Sequence, residues 1–321
     1  MTNDEVPVLT GFIMTTEISN RVKLRSVKDS SLKKGTRVIL RVDFNVPLRQ
    51  GKVLDDFRVR ESLAVIKYIL ERDVFVRIIS HLGRPEGRLV SSLSMKPLAL
   101  YLEKVLKRRV VFVKDPLDEK LLKKYGHSSE IIFFENIRFW SGEEKDNFYF
   151  AKKLARWGDV YVNEAFSNCH RKHASIVSLA KILPSFAGPG LEKEIRSLGS
   201  LFDKPARPFV AVLGGAKVST KLPLIKRFLR VADKILIGGA MANTVFLTQG
   251  FEIGKSTAER ELKKIIPSDI FRNKKIFLPL DVITVSGGKF ATARTEIRNI
   301  DVGLAQKMKY PSGHRSAILL C

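Results

Sequence analysis

Short apolar segments alternate with amphipathic segments along most of this chain, and a polar loop follows each apolar segment of the first half. The first apolar segment is 38–40, and further ones lie at 74–79, 110–113, 131–134, 160–162, 209–213 and 234–237. Between them, apolar residues recur at helical spacing, as in 59–70. Nearly continuous apolar strands that alternate with amphipathic helices are typical of a parallel sheet covered on both faces. The pattern therefore predicts an α/β fold.

The alternating pattern is interrupted once, and 321 residues are enough for two domains that each bury a core. Gly188, Pro189 and Gly190 break the chain, a helix is predicted over 191–201, and a proline-containing linker follows at 203–208. The pattern of strand and helix then begins again at 209. We predict two doubly wound parallel-sheet domains, each with three Rossmann-like α/β/α layers, joined by this helix.

Right-handed crossovers place the loops that follow parallel strands at one edge of the sheet. In the first half this edge collects polar and basic side chains: Asp43, Asn45, Arg58, His81, Arg84, Arg138 and Arg171. Converging arginines repel one another unless an anion joins them, and guanidinium groups bind carboxylate and phosphate through paired hydrogen bonds. Asp43 and Asn45 add groups that bind hydroxyls, so the edge suits a small phosphorylated hydroxy acid. The alternatives are ordinary surface arginines and an Asx turn at 43–45, at the end of a strand predicted to stop at Pro47.

Glycine pairs follow two strands of the second half, at 214–215 and 238–239. Glycine lets a backbone approach a ligand closely, although a tight turn between a strand and a helix requires glycine equally well. Lys217 and Lys221 are four residues apart, which predicts that they share one face of the first helical turn, where phosphate is favoured. The segment is not a Walker A motif.

The chain is strongly basic: 57 Lys and Arg against 33 Asp and Glu give a net charge of +24. A nucleic-acid-binding surface, a site for a multiply charged anion and a basic solvated surface all remain open as explanations. The lysines are scattered over predicted helices, which favours a solvated surface for most of them.

Neither membrane insertion nor a disulfide framework is indicated by the composition. No stretch approaches 18 uninterrupted apolar residues, and two cysteines, Cys169 and Cys321, suggest a reducing, cytoplasmic environment. Cys169 and His170 are adjacent, which allows a thiol–imidazole pair or half of a metal site. Adjacent residues rarely face each other, so His170 and His173 are interpreted as lining a polar loop.

Five motifs together resemble the phosphoglycerate kinase family. They are RVDFNVP at 41–47, SHLGRPEG at 80–87, FENIRF at 134–139, NEAF at 163–166 with His170 and Arg171, and LGGAKVSTK at 213–221. The similarity runs from about Val27 to about Gly303. It implies a first domain at 27–190 that binds phosphoglycerate, an interdomain hinge helix and linker at 191–207, and a nucleotide-binding domain at 208–321, after an extension at 1–26.

The resemblance implies reversible phosphoryl transfer between ATP–Mg²⁺ with 3-phosphoglycerate and ADP with 1,3-bisphosphoglycerate, in glycolysis and gluconeogenesis. It implies phosphoglycerate contacts by Asp43, Phe44, Asn45, Arg58, His81, Leu82, Gly83, Arg84, Arg138 and Arg171. It implies nucleotide contacts by Gly215, Ala216, Lys217, Lys221, Gly238 and Gly239. Arg58 and Lys221 are the expected catalytic residues, no general base is required, and the protein is expected to be a monomer.

The motifs that the family places beyond Gly303 are not found in this sequence. We therefore expect a chain that is truncated, that lacks the aspartate which holds Mg²⁺, and whose second sheet is incomplete, with an exposed apolar edge and face. The second domain is expected to be marginally stable. Equally slow amide hydrogen exchange in both domains would contradict this expectation. Met14 is a plausible alternative start. The alternative functions are an inactive remnant that binds phosphoglycerate only and a basic nucleic-acid-binding protein.

Overall fold

The computed structural model describes residues 24–30, 32–203, 205–251, 253, 256–261, 268–286 and 289–294. It divides into two compact units, Met1–Ser200 and Leu201–Cys321, and this division falls within the predicted interdomain segment 191–207. The proposed start at Met14, the end at Cys321 and most of the predicted extension lie outside the described residues.

The first unit is built on a parallel sheet. Its strands are β1 (Arg37–Arg41), β2 (Leu48–Arg49), β3 (Lys52–Val53), β4 (Phe75–Ile79), β5 (Val110–Val113), β6 (Ile131–Phe134), β7 (Val160–Asn163) and β8 (Ser185–Ala187). Six of them form one sheet in the order β5-β6-β4-β1-β7-β8, and every neighbouring pair is parallel. β2 and β3 form a separate antiparallel hairpin. The predicted parallel sheet is confirmed.

The helices of this unit occupy the segments between strands, as the apolar spacing predicts. They are α1 (Phe57–Leu70), α2 (Lys96–Leu106), α3 (Glu119–Tyr125), α4 (Ser141–Glu144), α5 (Phe148–Ala155), α6 (Ser178–Ile182) and α7 (Pro189–Asp203). Polar caps fix where several of them begin. The Asp118 carboxylate accepts the first free N–H groups of α3, and the Asn147 side chain accepts one from α5.

The sheet of the first unit is covered on both faces. Along β1, Val38 and Leu40 belong to one apolar core and Ile39 to another. The first core contains residues of α1 and α2, and the second contains residues of α3, α5 and α6. Because successive residues of a strand point to opposite faces, a strand buried on both sides must be apolar at nearly every position. This explains the uninterrupted apolar runs in the sequence.

The first strand is shorter than predicted. β1 ends at Arg41 rather than continuing to Pro47, because the backbone that follows leaves the strand ladder. The N–H of Phe44 is bound by the Ser80 hydroxyl at 2.9 Å, and the N–H of Val46 bonds to the carbonyl of Phe44. The segment 42–47 is therefore a fixed loop at the carboxyl end of the strand.

The second unit contains a smaller parallel sheet. Its elements are β9 (Val210–Leu213), α8 (Leu222–Val231), β10 (Lys234–Ile237), α9 (Gly239–Thr248), β11 (Ile276–Phe277), β12 (Asp281–Ser286) and β13 (Lys289–Arg294). The parallel sheet has the order β11-β10-β9, and β12 pairs antiparallel with β13. The helix predicted from Ala258 lies largely outside the described residues.

One face of this second sheet is apolar and exposed. Ala211, Ile235 and Ile237 are buried in a core with residues of α8 and α9. On the strands and just after them, Val212 is 65% exposed and Leu280 is 69% exposed. An apolar sheet face in water is a site of association or aggregation. Among the described residues, no helix is long and apolar enough to cross a membrane.

The loop after β7 is bound to the beginning of α7. The Glu164 carboxylate accepts the N–H groups of Gly190 at 2.9 Å and Leu191 at 3.4 Å. Pro189 has no N–H, so these are the first donors that the helix offers. A Cβ atom at Gly188 or Gly190 would lie 2.0 or 2.5 Å from the carboxylate oxygens, so this contact requires glycine at both positions.

Burial raises the pKa of Glu164 from 4.5 to about 7, and the charges of Glu192 and Glu61 act in the same direction. The two backbone N–H bonds oppose the shift only in part. The ionised carboxylate is therefore less stable in the folded protein than in the unfolded chain near neutral pH.

We expect Glu164 to make the first unit less stable as the pH rises from about 5 to 8. The folded state binds the extra proton between pH 4.5 and about 7, and stability falls with pH wherever the native state binds more protons. Since one pKa unit corresponds to about 1.4 kcal/mol, the effect is at most about 3 kcal/mol. Urea unfolding of wild type and Glu164→Gln at several pH values measures it as the difference between the two curves.

The matched control is Glu194→Gln, on an exposed residue of the same helix, which should follow the wild-type pH dependence. If Glu164→Gln also follows the wild-type curve, the carboxyl group does not titrate in this range.

Candidate active site

Four loops meet at the carboxyl edge of the first sheet. They follow β1, β4, β6 and β7, which are adjacent in the sheet, so their strand-end residues lie side by side. The loops carry Asp43 and Asn45, then His81 to Arg84, then Arg138, and finally Arg171. This is the edge at which the sequence predicts an anion site.

Asp43 connects three of the predicted site residues. Its Oδ2 atom lies 2.5 Å from Arg58 Nη1, and its Oδ1 atom lies 3.9 Å from His81 Nδ1. Oδ1 also accepts the N–H of Asn45 at 3.1 Å, which is the hydrogen bond of an Asx turn. The predicted Asx turn and the predicted site are thus the same structure. The Ser167 hydroxyl also donates to Oδ2.

The loop after β4 is held by amide side chains. Asn45 Oδ1 accepts the N–H of Gly83 at 2.9 Å, and buried Asn136 binds both the N–H and the carbonyl of Leu82. Gly83 has a φ of +61°, and a Cβ there would lie 2.9 Å from Leu93. The loop therefore needs glycine at this position and has little freedom to move.

Arg138 is a buried cation with unused donors. Its side chain donates to the carbonyl of Gly83 at 2.8 Å, while Nε and Nη2 are buried with no hydrogen-bond partner among the described residues. Nε lies 3.7 Å from Glu144. Burial and the charges of Arg41 and Arg171 lower the pKa of Arg138 to about 10, so it stays charged at neutral pH. Buried donors are nearly always satisfied in proteins, so these two nitrogen atoms can donate to a further acceptor.

His81 is neutral in this surrounding. Burial, followed by the charges of Arg41, Arg138 and Arg171, holds the pKa of His81 far below its usual value. Its Nδ1 atom lies 3.3 Å from Arg41 Nη2, which is always a donor. Nδ1 must therefore accept, and Nε2 carries the proton. A neutral histidine adds a donor to the edge without adding positive charge.

Arg41 ends the apolar strand β1, an unusual place for an arginine, and its sequence position alone predicts no function for it. Arg41 is fully buried, and its Nε donates to the Ser175 hydroxyl at 3.0 Å. Ser175 in turn donates to Glu143 Oε1 at 2.6 Å. Nothing in the spacing of the motifs indicated that Glu143 or Ser175 would reach this edge.

Glu143 is the buried negative charge beside the arginines. It is fully buried, and it binds both the N–H and the hydroxyl of Ser175. His173 Nδ1 lies 3.7 Å away, so His173 faces this carboxylate rather than only lining a polar loop. Burial on its own would raise the pKa of Glu143. The neighbouring His173, the charge of Arg41 and the bonds from Ser175 together lower it.

The remaining basic residues of the edge differ in position. Arg171 is partly buried, and its charge acts on both His81 and Arg138. Arg84 is exposed, and none of the contacts among the described residues joins it to this group. The structure therefore brings Arg171 to the cluster and leaves Arg84 at its margin.

Cys169 is not activated for chemistry. Burial raises the pKa of its thiol to about 11, and Sγ lies 3.5 Å from Asn163 Nδ2. Such a thiol is protonated at neutral pH, when it is a poor nucleophile and metal ligand. In the part of the chain that the structure describes, no group of three or more His, Cys, Asp and Glu side chains could hold a metal ion.

The two glycine loops of the second unit are neighbours. The N–H of Met241 bonds to the carbonyl of Gly215, and a Cβ at Gly239 would lie 3.8 Å from the backbone of Gly215. Gly215 has a φ of +143° and Gly239 of +63°. Gly238 donates its N–H to Leu213. Ala216 lies in the same exposed loop as Gly215.

The prediction that Lys217 and Lys221 share one face of a helical turn is wrong. A 3₁₀ turn covers Ser219–Lys221 and α8 begins only at the next residue, with a proline in its first turn, so Lys217 precedes both. Glu259 binds the N–H and the hydroxyl of Ser219, which holds this turn in place. Both lysines are exposed, so each is still available to an anion.

Replacing Glu143 by glutamine should destabilise the first unit by about 3–5 kcal/mol, because the neighbouring buried cations lose their counter-charge. Its stabilising effect belongs to the ionised form, since the folded pKa is lowered, so the loss should shrink as the pH falls. Chemical denaturation at pH 7 and pH 4 measures both effects. Glu86→Gln, at an exposed ion pair with Arg88, is the control and should change stability by about 1 kcal/mol or less; equal losses in the two variants would contradict the assignment.

Comparison with known proteins gives one consistent result. The sequence profile of the family described as phosphoglycerate kinase matches residues 27–318. The phosphoglycerate kinase of Coprothermobacter proteolyticus is 42% identical over 275 residues, which are 84% of this chain and 70% of that protein. That of Borreliella burgdorferi is 40% identical over 82% of this chain and 68% of its own length.

Solved structures agree with the sequence relatives. The phosphoglycerate kinase of Coxiella burnetii superposes with a TM-score of 0.70 at 33% identity, over 85% of this chain and 72% of that one. That of Pyrococcus horikoshii has a TM-score of 0.74 at 28% identity, over 89% of this chain and 74% of its own. With the paired glycine loops and the arginine-rich sheet edge, these matches show that the chain belongs to the phosphoglycerate kinase family.

Proposed function

We propose that the chain carries out reversible phosphoryl transfer between ATP–Mg²⁺ with 3-phosphoglycerate and ADP with 1,3-bisphosphoglycerate. The single observation that carries the proposal is Arg138. A charged guanidinium group is buried at the sheet edge, and two of its nitrogen atoms have no hydrogen-bond partner in the described part of the chain. A phosphate or carboxylate group of the substrate would satisfy both.

The first unit offers a set of groups that fits the whole acid. Asp43 and Asn45 would bind the glycerate portion. Phe44 is buried, and it would hold the backbone between these two residues. His81, Arg84, Arg138 and Arg171 would bind the charged ends, with the backbone of Leu82 and Gly83 shaping the loop. Neutral His81 is a suitable donor here, because a further full charge would add to the repulsion among the arginines.

The second unit would bind the nucleotide. Gly215, Ala216, Gly238 and Gly239 lie in two adjacent loops where the backbone is accessible. Lys217 and Lys221 are exposed beside them and would contact phosphates, with Lys221 also acting during transfer. Mg²⁺ would neutralise phosphate charge. The described part of the chain offers no cluster of protein ligands for it.

The rate would come from position and charge. The acceptor is an ionised carboxylate, so no side chain has to remove a proton from it. Phosphoryl transfer then depends on alignment and on stabilising the negative charge of the transferring group. Arg58 is the candidate for that charge, and at present it contacts Asp43 at 2.5 Å. Arg58 would therefore exchange one anionic partner for another during the reaction.

Removal of the Arg138 guanidinium should weaken binding of 3-phosphoglycerate by about 100-fold or more, because two charge-assisted hydrogen bonds are lost. Titration calorimetry on wild type and Arg138→Ala measures the change. Arg88→Ala removes an arginine whose side chain is 76% exposed, and it should leave the affinity unchanged. Because Arg138 is buried, Arg171→Ala provides a second variant at a partly buried position. Unchanged affinity in both site variants would refute the proposed site.

Arg58→Ala should lower the turnover rate by about 10³-fold and leave the affinity for 3-phosphoglycerate nearly intact. A coupled assay of 1,3-bisphosphoglycerate formation measures the rate, and calorimetry measures the affinity. A loss below about tenfold would remove Arg58 from its proposed catalytic role. A wild-type chain that binds the acid without turnover would favour the alternative of a protein that binds phosphoglycerate only.

A further inference from the structure

Ser167 lies on the loop after β7, in a 3₁₀ turn at Phe166–Asn168, and the sequence motifs gave it no function. Its side chain is exposed, yet its hydroxyl donates to Asp43 Oδ2. Arg58 Nη1 lies 2.5 Å from the same oxygen. Two donors, one on α1 and one in the turn after β7, therefore share one oxygen of the carboxylate that is proposed to bind the glycerate.

The neighbouring residue leaves the hydroxyl hydrogen of Ser167 available to Asp43. Asn168 is buried, and its Nδ2 donates to Ser167 Oγ at 3.1 Å. Because the serine oxygen accepts from this amide, its own hydrogen is free to point at Asp43. The buried side chain of Asn168 therefore helps to position the hydroxyl that donates to Asp43.

The other carboxylate oxygen of Asp43 also accepts a hydrogen bond. Oδ1 accepts the N–H of Asn45 at 3.1 Å, within the turn that follows β1. With Asn45 on one oxygen and Ser167 on the other, the plane of the carboxylate is defined without Arg58. This matters because Arg58 must leave Asp43 if it is to reach the transferring phosphoryl group.

We propose that Ser167 is a positioning residue that holds the Asp43 carboxylate in the orientation that accepts a hydrogen bond from the C2 hydroxyl of phosphoglycerate. The proposal rests on the proposed function, since it concerns the same site. Ser167 acts through Asp43 and touches neither phosphate nor carboxylate of the substrate. Its effect is therefore confined to the part of the affinity that the hydroxyl contributes.

Because the effect is limited to the hydroxyl, it can be distinguished from a general structural defect, which would weaken the binding of both acids. Titration calorimetry compares 3-phosphoglycerate with the analogue in which hydrogen replaces the C2 hydroxyl. Ser167→Ala should weaken 3-phosphoglycerate about fivefold, as expected for one hydrogen bond, and change the affinity for the analogue less than about twofold. Ser167→Thr keeps the hydroxyl and should restore wild-type affinity. Ser91→Ala, at an exposed serine in another 3₁₀ turn, is the control.

Equal weakening of both acids by Ser167→Ala, or failure of threonine to restore binding, would overturn the proposal. The proposed function fails in a different way. A wild-type chain that does not bind 3-phosphoglycerate, or that binds the two acids equally, would refute the assignment of Asp43 and this proposal with it. If wild type binds 3-phosphoglycerate more tightly than the analogue, and Ser167→Ala keeps the same ratio of affinities, only the role of Ser167 is refuted.

Discussion

The first unit concentrates positive charge at one buried sheet edge. The rest of its structure depends on this constraint. Arg41 and Arg138 are almost fully buried, and their charges act on each other. Like charges in a poorly solvated place repel strongly. The protein reduces this repulsion in two ways: Glu143 supplies a buried negative charge, and His81 remains neutral. Two nitrogens of Arg138 have no hydrogen-bond partner among the described residues, and the proposed substrate anion would satisfy them.

The rigidity of the surrounding loops follows from the same constraint. Charges that repel one another hold their places only if the backbone beneath them is fixed. Asn136 binds both polar groups of Leu82, and the Ser80 hydroxyl binds Phe44, so the loops after β4, β6 and β1 are tied together by buried hydrogen bonds. Replacing any of these polar side chains would leave buried backbone groups without partners, which costs more than the bond itself contributes.

The sequence predicted the parallel sheets and the gathering of basic residues at one edge, because apolar periodicity and crossover handedness determine both. It did not predict Glu143, on the short helix α4, or Ser167, in a 3₁₀ turn, since the course of both segments depends on tertiary contacts. The helical face expected for Lys217 is not formed, and a tertiary contact contributes: Glu259, 40 residues away in sequence, holds the turn before α8. Proposed residue roles and domain boundaries remain predictions.

Asp43 pairs with Arg58 in this structure, and in the proposed function it would also bind the substrate. Without substrate, Arg58 is neutralised by Asp43, so the exposed cation adds little to the repulsion behind it. In the proposed function, a bound phosphoglycerate would bring its own negative charge and offer a hydroxyl to the same carboxylate. Arg58 would then be free to turn toward a second anion, the phosphoryl group. The substrate itself would thus release the residue that stabilises the transfer, which couples binding to catalysis with no general base.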